Sequence, residues 1–396
     1  MTAHRNLLRA RSEHGHSKVT FVELFFDLVF VFAVTQLSHS LIEHFTLMGA
    51  VQTLLLMLAM WWVWIYTSWV TNWLDPEKLP VRLLLLTLML LGLILSSSIP
   101  KAFESRGLAF AGAYVSMQVG RTLFFLWAVR GHHGMVRSFQ RILAWLMLAG
   151  VFWIAGAVAH DSARLALWVV ALGLEFVSPS LGFWVPVLGR STTADWNVEG
   201  GHMSERCGLF MIIALGESIL VTGATFSGLD WAAANVAAFV ASFLGSLAMW
   251  WLYFDTSAEA GTTAISTSSD PGRLARLAYT YIHLFMVAGI VVSAVADEFV
   301  LAHPTGHTDV KTALSVLGGT ALYLIGITLF KWAIAGRFPI SHLIALTALA
   351  LLAATTEVVS PVLLIAAATF VLVALAVWER KAGRLCPDPE PQVVRD

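Results

Sequence analysis

Twelve runs of about 20 mostly apolar residues, each long enough to cross a bilayer as a helix, make up nearly all of this chain. They fall near residues 20–42, 47–73, 81–100, 107–129, 141–159, 165–188, 205–227, 231–254, 274–296, 313–333, 340–358 and 360–378. Only Glu357, Ser360 and Pro361 break the last two apart. Strands of a membrane barrel would alternate polar and apolar residues, and these runs do not. The expected fold class is therefore an all-α integral membrane protein of about twelve transmembrane helices. Composition agrees: 58% of the 396 residues are hydrophobic and 12% charged, against about 25% charged in a soluble protein. So much apolar surface needs a lipid bilayer as partner.

A net charge of -1 provides no basic field, so nucleic acid is not an expected partner. Cys207 and Cys386 lie far apart, and no disulfide framework, metal cluster or cofactor is expected. The first run carries Glu23 and Asp27 in its first two turns. A cleavable signal peptide would not tolerate them, and the run is expected to stay in the mature protein.

Orientation follows from the basic residues, which concentrate on the cytoplasmic side. With the N-terminus inside, 19 of the 24 Lys and Arg fall on inner segments. Lys101, Arg106, Arg164 and Lys311 fall outside, and Arg121 lies within a span. Both termini are expected to be cytoplasmic.

The halves echo each other. MWWVWIYTS from Met60 matches MWWLYFDTS from Met249, and GRTLF from Gly120 matches GITLF from Gly326. Glu23 falls opposite Glu205, and Arg82-Leu83 opposite Arg276-Leu277. Six spans per half would relate the halves by an axis along the membrane normal, as in transporters of parallel repeats. The expected organisation is a cytoplasmic tail (1–19), a first six-helix repeat (20–188), a cytoplasmic linker (189–204), a second repeat (205–378) and a second cytoplasmic tail (379–396). Duplication that merely enlarges a scaffold is the competing reading.

Ionisable groups inside spans are costly and usually face protein or water. Asp27 and Arg121 lie at similar depth near the inner face and are expected to pair. Leu209 and Ile327 replace both in the second half, consistent with a pair lost together. Such a pair either fixes helix register or forms a gate or ion-coupling site. Glu23, Asp27, Thr35 and Ser38 form one polar stripe at helical spacing, with His39 just beyond it. The stripe lines a hydrated path or packs on another polar helix. Glu175, Glu205, Glu217 and His283 complete the candidates for ion, proton or substrate handling. Glu43, Asp255, Asp297, Glu298 and Glu357 lie at span ends and attract no functional reading. Trp69 and Trp73 suit an interfacial belt, whereas Trp61 and Trp62 lie deeper and suit packing.

The strings FVELFFDLVFVFAVTQLSH (Phe21 to His39) and SERCGLFMIIALGESIL (Ser204 to Leu220) resemble the bacterial low temperature requirement A family. This resemblance implies a multi-pass protein of the bacterial cytoplasmic membrane, from a family named for growth in the cold. Its motif acids correspond to Glu23, Asp27, Glu205 and Glu217. Phe25-Phe26-Asp27 also resembles the FSD motif of the lysosomal potassium channel family built of six-helix repeats, but the second half has Gly208-Leu209 there. The expected function is a transporter or channel for a small ion or solute, with intramembrane carboxylates as ion or proton sites. The alternative is a membrane-embedded lipid-handling protein or enzyme affecting growth in the cold. No nucleophile with its base and no metal-binding motif favours catalysis.

Overall fold

The computed structural model describes residues 7–10, 18–193 and 196–385, with the side chains of 383–385 excepted. The rest of the two expected tails, with Cys386, lies outside the described residues. The chain forms α1 (Phe21–Glu43), α2 (Leu47–Trp73), α3 (Leu79–Ser98), α4 (Gly107–Ala128), α5 (His133–Val158), α6 (Asp161–Val177), α7 (Gly200–Ser227) and α8 (Ala233–Phe254). A short α9 (Ala258–Thr267) and α10 (Pro271–Leu274) follow, then a π-helical turn pair (Ala275–Ile282) that runs into α11 (His283–Ala302). α12 (Val310–Ala335), α13 (Ile340–Leu352) and α14 (Pro361–Leu385) complete the chain.

Helix starts are written locally. Thr20 and Glu23 form a capping box on α1, Thr46 Oγ1 accepts from Gly49 N, and Glu199, Asp270 and Asp309 cap α7, α10 and α12 through their carboxylates. α12 ends at Gly336 in the left-handed conformation, φ 71°.

Nine helical segments among the described residues are long and apolar enough to cross a membrane. Three further helices occupy expected span positions. α4 carries Gln118 and Arg121, α6 has 17 residues, and α13 with its 3-10 extension reaches Thr355. Outward-facing Phe21, Leu90, Val151, Leu220 and Phe370 are each more than half exposed, as a lipid-solvated surface requires. The chain is a polytopic helical membrane protein.

Several boundaries differ from the sequence reading: α5 starts at His133 rather than near 141, α11 runs on to Ala302 past 296, and α6 and α7 shift as well. α6 stops at Val177 rather than near residue 188, because Ser178-Pro179 disfavours further helix and the segment turns through Gly182, Phe183, Val187 and Gly189, all at positive φ. α7 starts at Gly200, five residues before the expected 205, because Glu199 accepts from the amides of Gly201 and His202.

Packing repeats along the chain. In the first half α1 packs on α2 and α3, α3 on α4, α4 on α5, α5 on α6, and α2 on α4 and α6. In the second half α7 packs on α8 and α11, α11 on α12, α12 on α13, α13 on α14, and α8 on α12 and α14. The halves meet where α1 touches α7 and α11, and where α2 touches α7 and α11. The most extensive contact, α11 on α12, depends on small residues. A Cβ on Gly289 would lie 2.4 Å from Tyr323 N, and one on Gly319 would lie 2.8 Å from Ser293 N. Without a hydrophobic drive between helices in lipid, such close backbone approach is what holds them together.

Candidate functional site

Three polar centres are buried in the first half and its seam with the second. The seam centre brings together α1, α2 and α7. Asp27 Oδ2 is 2.8 Å from Arg206 Nη1, and Trp64 Nε1 donates to Asp27 Oδ1 at 2.8 Å. Both ions are wholly buried. Arg206 also donates to the Glu23 carbonyl (3.0 Å) and Ser68 Oγ (3.2 Å), and its guanidinium lies 5.5 Å from the Trp64 ring centroid. One turn earlier, Glu23 receives Arg9 Nη2 at 2.8 Å and lies 2.9 Å from His202 Nε2. Asn72 Nδ2 is 3.2 Å from His202 Nδ1 and bonds the Glu199 carbonyl at 2.8 Å. Two carboxylates thus face two guanidiniums, so the charges balance inside the protein, as burial demands.

The expected Asp27–Arg121 pair is not formed: the cation on Asp27 is Arg206. The loop-charge count takes Arg206 as one of the inner-side cations, because the sequence puts the start of α7 near residue 205. The early N-cap at Glu199 draws His202 and Arg206 into the bundle, where both are wholly buried.

Arg121 belongs to a second centre, between α2, α4, α5 and α6. Glu175 accepts from Tyr114 OH (2.5 Å), Gln118 Nε2 (3.1 Å) and Trp153 Nε1 (2.9 Å). Gln118 Oε1 accepts in turn from Arg121 Nη2, so one amide joins the carboxylate to the guanidinium. Arg121 Nη1 donates to the Val63 carbonyl (3.2 Å) and Thr67 Oγ1 (3.1 Å), and Tyr66 faces the cation at 5.4 Å. Its Nε has no hydrogen-bond partner. Sequence reading missed Gln118, Tyr114 and Trp153. Tyr114 and Gln118 share one helical face with Arg121, which was the available signal; Trp153, on α5, carried none.

The third feature is a cavity of about 350 Å³ beside Arg121, within the usual size range of small-molecule sites. Its wall includes Tyr66, Trp69 and Trp73 of α2, Phe139 of α5, Phe183 and Trp196 of the segment after α6, and three arginines, Arg9, Arg121 and Arg276. No Asp or Glu lines it among the described residues. Trp69 and Trp73, expected in an interfacial belt, are instead oriented inward by bonds to Thr280 Oγ1 (3.1 Å) and the Asn197 carbonyl (2.6 Å). Trp61 and Trp62 do pack deep: Trp62 stacks on Phe176 at 4.0 Å, and Trp61 Nε1 donates to the Thr280 carbonyl at 2.7 Å. That carbonyl lies in the π-helical stretch, where widened turns leave backbone groups for side chains.

The remaining candidates lie apart. Glu217 is buried on α7 beside Thr35 of α1, while His39, one turn further along α1, is exposed. Ser38 donates to its own helix at the Val34 carbonyl (3.1 Å). His283 lies 2.8 Å from both Tyr253 OH and the Ala278 carbonyl and stacks on Tyr279. This satisfied core imidazole meets none of the candidate acids. Glu205 is exposed and accepts from Val19 N at 3.1 Å.

Comparison with known proteins places this geometry in a family. The model for "Bacterial low temperature requirement A protein (LtrA)" matches residues 18–377. A Rhizobium meliloti (strain 1021) protein, described as Uncharacterized protein RA0937, is 41% identical over 379 residues, covering 95% of this chain and 92% of its own. No solved structure matches. The match runs from just before α1 into α14 and takes in Glu23, Asp27, Arg121, Glu175, His202 and Arg206, with Arg9 preceding it, so this chain belongs to the bacterial low temperature requirement A family.

Proposed function

We propose that this protein is a transporter in the bacterial cytoplasmic membrane, built of two six-helix repeats with both termini cytoplasmic, and that it carries a small organic anion with a proton. The repeat reading is supported by the matching order of helix neighbours in the two halves and by three further helices, the polar α4 and the shorter α6 and α13, that bring nine spans to twelve. In this reading, 20–188 and 205–378 are the repeats and the segment between them is a cytoplasmic linker.

One observation carries the choice of solute: a cavity with aromatic walls and no acid among the described lining residues, where Arg121 and Arg276 can meet an anion while the third arginine, Arg9, is already paired with Glu23. Aromatic faces take up the apolar body of a ligand, and guanidiniums fix a carboxylate, sulfonate or phosphate. Glu175 is the proton site. Arg121 offers one positive charge, shared with Glu175 through Gln118. An anion entering beside Arg121 takes over that compensation. Glu175, wholly enclosed by Tyr114, Trp153 and Gln118, then takes up a proton rather than remain an uncompensated buried charge. Binding and protonation are thereby linked.

The same cations and apolar wall would hold an anionic lipid, which is the lipid-handling alternative. Titration with benzenesulfonate tests the anion site, with tryptophan fluorescence as the readout because Trp69, Trp73 and Trp196 line the cavity. A saturable change is expected, weakened in Arg276→Gln and Arg121→Gln. An equal response to benzyltrimethylammonium, or one indifferent to both substitutions, would refute the reading.

A further inference from the structure

A fourth polar centre lies within the second half, away from the arginine cavity. Asp297 of α11 is 4% exposed, although its position near the end of a hydrophobic run led to the expectation that water or headgroups would solvate it. Ser218 Oγ (3.0 Å) and Thr222 Oγ1 (3.1 Å) of α7 approach Asp297 Oδ2, and no basic side chain pairs with it among the described residues. Beside it is a void of about 20 Å³, also lined by Ser242, Ser246, Ser293, Thr320 and Thr369. That is room for one water-sized body.

Proton accounting shows what this void lacks. Thr222 Oγ1 is nearer the Ser218 carbonyl (2.8 Å) than Asp297, and its one proton serves a single acceptor. Thr320 donates to the Val316 carbonyl and Thr369 to the Ala241 carbonyl. Both therefore keep lone pairs free. Among the described residues neither Ser242 Oγ nor Ser293 Oγ has a partner at full hydrogen-bond geometry; Ser242, 2% exposed, faces the Asp297 carboxylate, and Ser293 Oγ is left open. Oxygen lone pairs thus converge with one carboxylate and no cation. In the first half, by contrast, Glu175 has Arg121 within reach through Gln118, and the position matching Arg121 in the second half is Ile327, wholly buried.

We propose that Asp297 and the surrounding hydroxyls form a binding site for one small monovalent cation of sodium size. Hard oxygen ligands suit an alkali cation, one carboxylate balances one charge, and the small void disfavours larger ions. The site is independent of the anion cavity, sharing no lining residue with it.

The test is thermal unfolding of the purified full chain in detergent, at fixed pH and ionic strength, with sodium chloride exchanged for choline or potassium chloride. A ligand that binds only the folded state raises the midpoint saturably. Sodium is expected to do so, potassium less and choline not at all. Asp297→Asn should abolish the sodium-specific rise. Ser293→Ala removes a ligand without breaking a hydrogen bond and should raise half-saturating sodium by roughly ten- to a hundredfold; Ser242→Ala, which removes the hydroxyl facing Asp297, should act alike. Identical curves in sodium and choline would overturn the proposal and leave a proton as the neutralising ion. Unchanged half-saturation in both serine variants would also overturn it, and those variants keep the test decisive if Asp297→Asn does not fold.

Discussion

Replacing Arg206 by Met leaves Asp27 wholly buried with only the Trp64 indole as donor, and deprives Ser68 and the Glu23 carbonyl of their cation. Breaking a buried ion pair from one side costs about 3–5 kcal/mol, enough to remove much of a typical stability of roughly 5–15 kcal/mol. Asp27→Asn alone keeps an oxygen for Trp64 but leaves the guanidinium without a counter-ion. The double variant restores neutrality at the pair. It should therefore be less destabilised than the two singles combined, by about 0.5–3 kcal/mol, the range found for interacting neighbours. Equilibrium unfolding in mixed micelles, followed by tryptophan fluorescence, measures all four corners of the cycle. The same cycle with Arg121→Met should be additive within about 0.5 kcal/mol. Additivity with Arg206, or coupling confined to Arg121, would refute the assignment.

Two further outcomes follow from the packing and the caps. Gly289→Ala should lower the unfolding midpoint, since its Cβ would press on the Tyr323 backbone, at an overpacking cost of about 1–3 kcal/mol; Gly318→Ala, with nothing within 4 Å, should not. Asp309 caps α12 from outside the membrane. Partial burial pushes its carboxyl up, but Thr312 and Lys311 outweigh that and hold it below the ordinary aspartate value. Its contribution is present above the unfolded-state value and lost as pH falls through the folded one, so wild type and Asp309→Asn should converge in stability on acidification, read by thermal melts across the acid range.

Hydrophobic run length revealed the helices because lipid imposes one ruler on all of them. It was less informative at α6, where Pro179 and a run of left-handed residues stop the helix within apolar sequence. It also missed α9, which is short and carries Glu259, three Thr and a Ser among its ten residues. Site acids were visible as charges in oil, but their partners were not. Arg206 counts among the inner-side cations and His202 falls in the expected linker until the Glu199 cap moves the start of α7, and Asp297 falls at the end of a run where water would reach it. Hydroxyls such as Ser218 and Ser242 carry little signal in a hydrophobic sequence. Only the packing of α7, α8 and α11 makes them converge. Arg121 and Asp27 do share a depth, but depth does not fix azimuth, and each faces a different neighbour.

The most direct measurement is proteoliposome flux of radiolabelled benzenesulfonate, a strong acid that stays charged, with proton movement followed in the same vesicles. The wild type should take up the anion together with protons, driven by an inward proton gradient, and Glu175→Gln should retain anion binding while losing the accompanying proton. Uptake no greater than in empty liposomes, or uptake that moves no protons in the wild type, would contradict the account.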